Sequence, residues 1–238
     1  MPLRAVLFDF DGVLVDSEPL HFRSLRDCLL PVGVVIDETL YAERYIPYSD
    51  REAIRLALED HGRPAEPERI HELALAKARR FEALISEIDL FPGARELVET
   101  LAGTVPLAIA SGALHAEIES ILRASGLLDR FVAIIGADDV HRGKPHPEPF
   151  LTAMRAVATA VSEAQELRPD ECLVLEDSVG GIAAALAAGM KVVGVAHSFE
   201  PAKLRGAHRV VESLVGLELP ELRRLFESES HAFTLPGS

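Results

Sequence analysis

The stretch AVLFDFDGVL, residues 5–14, decides how the rest of the sequence is interpreted. Its four leading apolar residues end abruptly at Asp9, a second acid follows at Asp11, and Gly12 interrupts the run. Burying a carboxylate costs several kcal/mol unless the group is paired or binds a metal. Two carboxylates at positions i and i+2 of a strand end point the same way. The pair could therefore bind a divalent cation, and one of its oxygens could act as a nucleophile.

The composition is that of an acidic protein with a substantial core. Of the 238 residues 48% are hydrophobic, and the formal net charge is -14. This hydrophobic share argues against disorder, and the negative charge argues against nucleic acid as a partner. An anionic substrate would need local positive charge or a metal ion, because the field of the whole protein repels it.

Cysteine usage and the N-terminal segment indicate the compartment. The two cysteines, Cys28 and Cys172, do not have the spacing of a metal site, and a disulfide framework is not expected. The N-terminus has no signal-peptide pattern, and no apolar stretch approaches the roughly 18 residues that span a bilayer. We therefore expect a cytoplasmic protein with no membrane partner.

Short apolar runs alternate with helical patterns along most of the chain. Continuous apolar runs of this kind are typical of parallel strands covered on both faces. The sequence therefore predicts an α/β fold whose core is a Rossmann-like, doubly wound parallel sheet. The six predicted strands cover residues 3–8, 105–110, 131–135, 172–175, 192–195 and 208–211.

The segment after the first predicted strand is different, because it shows helical patterns and no convincing strand. It is far too long for a loop between a strand and a helix. We therefore predict a core domain of residues 1–16 and 91–238, with an all-helical domain inserted over residues 17–90. The four predicted helices cover residues 20–30, 39–45, 50–60 and 67–88.

Polar groups stand where the predicted parallel strands end, and ligands of open parallel sheets bind beyond the carboxyl ends of the strands. If the strands are neighbours, one small region holds several acids, a hydroxyl and an ammonium. In chain order these groups are Asp9 and Asp11, Ser111, Lys144, and Glu176 and Asp177.

Each group has a use in phosphoryl chemistry. Asp9 and Asp177 could supply carboxylates to Mg²⁺, which prefers oxygen ligands, and Glu176 could be a third or an outer acid. Ser111 and the amides after it could hydrogen-bond phosphate oxygens. Lys144 could neutralise the phosphoryl group or hold the nucleophile.

The two acids of the opening stretch would then divide the reaction. Asp9 would attack phosphorus and form an aspartyl-phosphate, which splits one difficult step into two. Asp11 would protonate the leaving oxygen and later deprotonate water.

Taken singly, each motif has a simpler explanation that is the better one. The acids could be turn or helix-capping residues, the serine a turn or cap, and the lysine a solvated surface charge. Their joint occurrence, in order and each at a strand end, favours a shared site.

Four motifs make the chain similar to the haloacid dehalogenase-like superfamily, in the branch with a helical cap after the first strand. The subfamily that it most resembles is that of β-phosphoglucomutase and the sugar phosphatases, because DFDGV at 9–13 is joined to DSEPLH at 16–21. The motifs are DFDGV at 9–13, ASG at 110–112, KP at 144–145 followed by PE at 147–148, and EDS at 176–178 followed by GG at 180–181.

The resemblance implies a role for each matching residue. It implies that Asp9 is the nucleophile and Asp11 the general acid and base, and that Mg²⁺ is the cofactor. Dehalogenases of this superfamily lack the second aspartate, so Asp11 favours phosphoryl transfer. The implied metal ligands are Asp9, Asp11, Glu176 and Asp177, and the implied phosphate-binding residues are Ser111, Gly112 and Lys144.

In the inserted domain, His21 and Arg51 resemble cap residues that contact substrate. The competing explanations are a half-buried helix residue for His21 and a surface pair with the neighbours of Arg55 for Arg51. The resembled mutases use a further cap lysine, but Lys77 and the arginines after it cannot be placed from the sequence.

We therefore expect a monomeric Mg²⁺-dependent phosphatase that hydrolyses a small phosphorylated metabolite, a sugar phosphate above all, through an aspartyl-phosphate. A sugar phosphomutase of the β-phosphoglucomutase type is the first alternative. A non-catalytic binding protein on the same fold is an alternative of another class.

Overall fold

The structure is a computed structural model that describes residues 2–46, 48–161 and 166–227. It divides into two compact units, one made of residues 1–16 and 89–238 and the other of residues 17–88. The first unit contains strands β1 (Ala5–Phe8), β2 (Val15–Asp16), β3 (Asp89–Leu90), β4 (Leu107–Ala110), β5 (Ala133–Ile135), β6 (Cys172–Glu176), β7 (Lys191–Val195) and β8 (Arg209–Val211). Its helices are α5 (Ala94–Ala102), α6 (His115–Ala124), α7 (Glu148–Ala160), α8 (Val179–Ala187) and α9 (Leu219–Glu227).

The core of the first unit is a six-stranded parallel sheet with the order β5-β4-β1-β6-β7-β8. Central β1 is completely buried, and its Val6 lies opposite Leu107 of β4 and Leu173 of β6. Helices flank the sheet, as α7 does by packing on β1, β4 and β5. The predicted α/β class and parallel sheet are confirmed, and each predicted apolar run contains a strand.

The carboxyl ends of these strands lie along one edge, as parallel pairing requires. Because β1 lies between β4 and β6, the segments that follow these three strands emerge side by side. This order therefore positions the candidate site.

A short antiparallel ribbon of β2 and β3 lies at the two ends of the insertion. Val15 pairs with Leu90, and Asp16 pairs with Asp89. Asp89 and Leu90 thus belong to the first unit, whereas the boundary expected from the sequence assigned them to the insert. Two residues per strand, half of them acidic, leave no strand pattern to detect.

The described residues of the second unit form helices and connecting loops, with no strand. Its helices are α1 (Glu18–Leu29), α2 (Glu38–Arg44), α3 (Asp50–Asp60) and α4 (Pro67–Leu84). They enclose their own apolar core, in which Leu25 and Leu29 of α1 cluster with Ile54 and Leu58 of α3. In the described part of the chain, every helix is too short or too polar to cross a membrane.

Candidate active site

Asp9 lies directly beyond the end of β1. Its backbone N–H donates to the Leu175 carbonyl at 2.9 Å, so pairing with β6 continues one residue past the strand. The residue is only 9% exposed, and its Oδ1 accepts from Lys144 Nζ at 2.8 Å. The buried acid that opened the sequence argument is therefore paired with a lysine from the loop between β5 and α7.

Lys144 also donates to Oε1 of Glu176 at 2.8 Å, so one ammonium bridges two carboxylates. Glu176 is the last residue of β6 and is fully buried. Its other oxygen, Oε2, accepts from the Ser178 backbone N–H at 2.7 Å and from the Ser178 hydroxyl at 3.0 Å. The surface-charge explanation for Lys144 is therefore wrong.

Gly181 provides the space for the Glu176 carboxylate. A Cβ atom at Gly181 would lie 1.6 Å from Oε1 of Glu176, far inside van der Waals contact. The N-cap of α8 is Ser178, whose hydroxyl accepts from the Gly181 N–H at 3.0 Å. Ser178 therefore caps α8, and Glu176 and Asp177 are not needed as caps.

Asp177 follows β6 and is also buried, at 6% exposure. The hydroxyl of Ser198 lies beside its carboxylate and favours the charged form. A Cβ atom on Gly12 would lie 2.0 Å from Oδ2 of Asp177, and Gly12 has a φ of +79°. Glycine is required at position 12 both by its left-handed backbone and by the closeness of this acid.

Asp11 lies in the tight turn that follows Asp9 and is half-buried. The Leu14 N–H donates to the Phe10 carbonyl at 2.8 Å, and the Gly12 N–H donates to the Val15 carbonyl at 2.9 Å. These bonds fold the chain back on itself immediately beyond β1, so Asp11 stays at the same end of the strand as Asp9.

Ser111 directly follows β4, the neighbour of β1, and is 4% exposed. Its hydroxyl accepts from the Ala113 N–H at 3.1 Å, which closes a turn. Helix α6 begins at His115 with Leu114 as its N-cap, so Ser111 does not cap that helix. Gly112 is exposed, with open space where a Cβ would be.

The donor set fits a hard divalent cation. Carboxylate oxygens of Asp9, Glu176 and Asp177 all lie within 4.8 Å of one another. Three carboxylates against the single ammonium of Lys144 leave two formal negative charges in excess if all are ionised. Oxygen ligands and surplus negative charge are what Mg²⁺ requires.

The pKa shifts of the cluster show which of its acids are disfavoured in their charged forms. Burial raises the pKa of Asp9 well above its ordinary value, and the charge of Glu176 adds to the shift while Lys144 opposes it. Burial also raises the pKa of Asp177 to about 6, although the Ser198 hydroxyl opposes it. Asp9 and Asp177 are thus the acids of the cluster whose charged forms are disfavoured.

Glu176 and Lys144 are held in their charged forms instead. Burial alone would raise the pKa of Glu176, but Lys144 and the Ser178 N–H lower it overall. Burial alone would lower the pKa of Lys144, but Asp9 and Glu176 raise it overall. These two groups form a fixed ion pair beside the two acids that a cation would relieve.

In the helical unit, His21 belongs to a second polar cluster. Lys77 Nζ donates to His21 Nδ1 at 2.8 Å and contacts Oδ1 of Asp50 at 2.5 Å. The Lys77 side chain is only 3% exposed, and the His21 ring stacks on Phe81 with centroids 4.5 Å apart. The lysine that the sequence could not place therefore pairs with the histidine that it singled out.

Arg51 lies in the first turn of α3 and is exposed. Its Nη2 is 2.6 Å from Nδ1 of His71 on α4. The acidic neighbours, Glu52 and Glu59, both pair with Arg55. The surface pair considered for Arg51 is therefore wrong. The acid that contacts Lys77 is Asp50, the residue directly before Arg51 in the sequence.

Comparison with known proteins identifies the family. The model of the haloacid dehalogenase-like hydrolases matches residues 3–189, which include the whole acidic cluster. The chain belongs to this family. The recognition made from the four motifs is thereby confirmed.

The relatives of the chain are named for different activities. A phosphorylated carbohydrates phosphatase of Thermotoga maritima is 32% identical over 84% of the chain and 89% of the relative. A β-phosphoglucomutase of Bacillus subtilis is 30% identical over 94% of the chain and 96% of the relative. The crystal structure of CbbY from Rhodobacter sphaeroides in complex with phosphate has a TM-score of 0.74 at 29% identity, covering 90% of this chain and 96% of that one.

Some relatives are longer proteins. The chain spans 54% and 19% of the length of two Arabidopsis thaliana relatives that are 33% and 32% identical to it.

One signal for Lys77 is present in the sequence. Positions 73, 77, 81 and 84 form the buried face of α4, and Leu73, Phe81 and Leu84 are apolar. A lysine inside a helical stripe of apolar residues is unusual, because a buried ammonium needs a partner. That break in the stripe marks Lys77 among the basic residues of the helix.

Proposed function

We propose that this hydrolase is a Mg²⁺-dependent phosphatase that acts on a small phosphorylated metabolite, with a sugar phosphate as the leading substrate class. One observation carries the proposal: Lys144 bridges Asp9 and Glu176 at 2.8 Å, with Asp177 within 4.8 Å of both acids. A merely structural ion pair needs no third buried acid beside it, because each uncompensated buried charge destabilises the fold.

The nucleophile is Asp9. Lys144 holds Oδ1 and so fixes the rotation of the carboxylate. Attack on phosphorus forms a bond from Asp9 to phosphorus and releases the substrate alcohol, and water then breaks the aspartyl-phosphate to give inorganic phosphate. Positioning of this kind removes much of the entropic part of the barrier.

The proton is moved by Asp11. In the first step it gives a proton to the leaving alcohol oxygen, and in the second it takes one from the attacking water. The closed turn from Phe10 to Val15 holds it at the same strand end as the nucleophile. The Ser111 hydroxyl and the Gly112 N–H are proposed to donate to the phosphoryl oxygens, and Lys144 supplies positive charge.

The metal ligands are proposed to be Asp9, Glu176, Asp177 and the backbone carbonyl of Asp11. The ion would neutralise negative charge on the phosphoryl group and draw it towards the nucleophile. Thermal melting tests this assignment, because a ligand present at 100 times its Kd stabilises a folded protein by about 2.7 kcal/mol. Mg²⁺ should raise the melting temperature of the wild type but not that of Asp177→Asn, and an equal rise in both would contradict it.

The helical unit, residues 17–88, is proposed to be a cap that selects the substrate. Because an ammonium can only donate, Lys77 leaves Nδ1 of His21 as the acceptor and places the ring proton on Nε2. His21 would then donate to the substrate. Arg51 is the candidate for a contact with the part of the substrate remote from the reacting phosphate.

The test of the proposal is a phosphate-release screen over sugar phosphates, nucleotides and phosphoglycolate, with and without Mg²⁺. The wild type should release phosphate only with Mg²⁺, and Asp9→Asn should be inactive. Asp129→Asn is the matched control, because it makes the same chemical change at an exposed position. Full activity in Asp9→Asn would refute the mechanism, and inactivity of the wild type on every substrate would favour the non-catalytic alternative.

A sugar phosphomutase is the second candidate. Two observations favour it, the similarity to a β-phosphoglucomutase over 94% of the chain and the pairing of the buried Lys77 with His21. A mutase must keep water away from the aspartyl-phosphate and return the phosphoryl group to a sugar hydroxyl. An assay with β-glucose 1-phosphate and a bisphosphate activator separates the two, since isomer formation faster than phosphate release would identify the mutase.

A further inference from the structure

The segment Ala196–Ser198 follows β7 and lies outside the four motifs. The Ala196 N–H donates to the Val211 carbonyl of β8 at 2.8 Å, which fixes the start of the segment to the sheet. Because β7 lies next to β6, this segment emerges beside Glu176 and Asp177. Its position, rather than its residue types, makes it a candidate part of the site.

Ser198 lies between two elements of the candidate active site. Its hydroxyl lies beside the Asp177 carboxylate and favours the charged form of that acid. Its Oγ would also lie 2.7 Å from a Cβ on Gly12, which places it against the turn that follows β1. A hydrogen bond from an outer residue fixes the rotation of a ligating carboxylate, and losing such a bond typically costs about 10–100-fold in metal affinity.

His197 also contacts this turn. Its Nδ1 lies 3.0 Å from the Gly12 carbonyl, and since a carbonyl only accepts, the proton is on Nδ1. The ring stacks on Phe91 with centroids 4.0 Å apart and an interplanar angle of 19°. The carbonyl that His197 binds belongs to Gly12, the residue directly after Asp11, so the histidine limits the movement of that turn.

We propose that His197 and Ser198 are positioning residues. They keep the metal-binding carboxylate of Asp177 and the turn that carries Asp11 in a fixed arrangement. Ser198 orients Asp177, and His197 anchors the carbonyl of Gly12, the residue that follows Asp11. The inference rests on the proposed function, since both roles act through residues assigned there. Neither residue touches the reacting atoms.

The first experiment measures Mg²⁺ binding to the wild type and to Ser198→Ala by isothermal titration calorimetry, without substrate. We expect Ser198→Ala to bind Mg²⁺ about tenfold more weakly and Ser198→Thr, which keeps the hydroxyl, to bind normally. Ser120→Ala is the matched control, because the exposed hydroxyl of Ser120 bonds only to its own helix at Ala116.

The outcomes separate this inference from the proposed function. Wild-type affinity in Ser198→Ala overturns the role of Ser198 and leaves the phosphatase proposal intact. A wild type that binds no Mg²⁺ overturns both. Because Ser198 is exposed, loss of its hydroxyl should leave the melting temperature unchanged.

The second experiment separates the hydrogen bond of His197 from its stacking. His197→Phe keeps a ring against Phe91 but removes the donor, whereas His197→Asn can keep a donor near the Nδ1 position. We expect kcat to fall about tenfold in His197→Phe with KM within twofold of the wild type, and His197→Asn to recover most of the loss. Wild-type kcat in His197→Phe would overturn the role of His197.

Discussion

Replacing Gly181 by alanine tests the geometry of the acidic cluster without changing any of its ionisable groups. The new Cβ would lie 1.6 Å from Oε1 of Glu176, and normal contact needs about 3.5 Å, so the carboxylate must move by about 2 Å. That carboxylate is held by Lys144 and by two bonds from Ser178. Such a displacement cannot preserve all three.

The magnitude follows from the bonds that are lost. A hydrogen bond to a charged group contributes about 1.5–3 kcal/mol. Alanine in place of glycine returns at most about 1 kcal/mol through helix propensity. Gly180→Ala is the matched control, because it lies in the same turn of α8 and an added Cβ there meets nothing within 4 Å.

The assays are thermal melting and initial rates of phosphate release for both variants. Since both gain the same propensity, we expect Gly181→Ala to be less stable than Gly180→Ala by about 1.5–3 kcal/mol. This corresponds to a gap of about 3–12 °C in melting temperature. Displacement of about 1 Å in a catalytic group can cost about 100-fold in rate, so kcat should fall by that order only in Gly181→Ala. Equal melting temperatures together with wild-type kcat in Gly181→Ala would refute the reasoning.

Three further predictions concern other parts of the molecule. Lys77→Met should melt at or above the wild-type temperature, because it removes a buried ammonium while the Asp50 side chain, 49% exposed, stays solvated; the same variant should lose activity, and a large loss of stability would contradict this. Ser178→Ala should lower the free energy of unfolding by about 1–2 kcal/mol, as measured by chemical denaturation, because it removes the cap of α8, whereas Ser120→Ala should change it little. Burial would raise the pKa of Glu171, but the Arg168 N–H and Arg4 hold it below its ordinary 4.5, so its contribution to stability is complete above that pH and is lost as the pH falls through the lowered value. The difference in melting temperature between the wild type and Glu171→Gln should therefore be constant near neutral pH and shrink in acid, and a constant difference down to about pH 3 would count against it.

The sheet and the acids at its edge could be predicted because both depend on local sequence. A fully buried parallel strand such as β1 or β6 needs a continuous apolar run, and the polar residue that ends the run marks the carboxyl edge. Parallel pairing then brings the carboxyl ends of the strands to one edge of the sheet, whatever the conformation of the loops. The strand order that makes β1, β4 and β6 neighbours came only from the structure.

The contacts between side chains of separate elements could not be predicted. Lys77 meets Asp50 and His21 because three helices of the second unit pack in one particular way, which no short motif encodes. Ser198 is an ordinary residue type in an ordinary loop, and its contact with Asp177 depends on the exact exit of the chain from β7. The apolar stripe of α4 marks Lys77 as unusual, but the partners of Lys77 and the contact made by Ser198 are found only by geometry.

The distribution of charge within the cluster also explains the glycines at positions 12 and 181. Lys144 and Ser178 already satisfy Glu176, so the unrelieved charge falls on Asp9 and Asp177, which have raised pKa values because of burial. A fold selected only for stability would separate these two acids or expose them to water. Instead, the side chain missing at Gly12 lets Asp177 approach the turn that follows Asp9, and the one missing at Gly181 lets Glu176 hold the lysine between the acids. The backbone is thus shaped to keep these acids in one place, an arrangement that the proposed cation would stabilise.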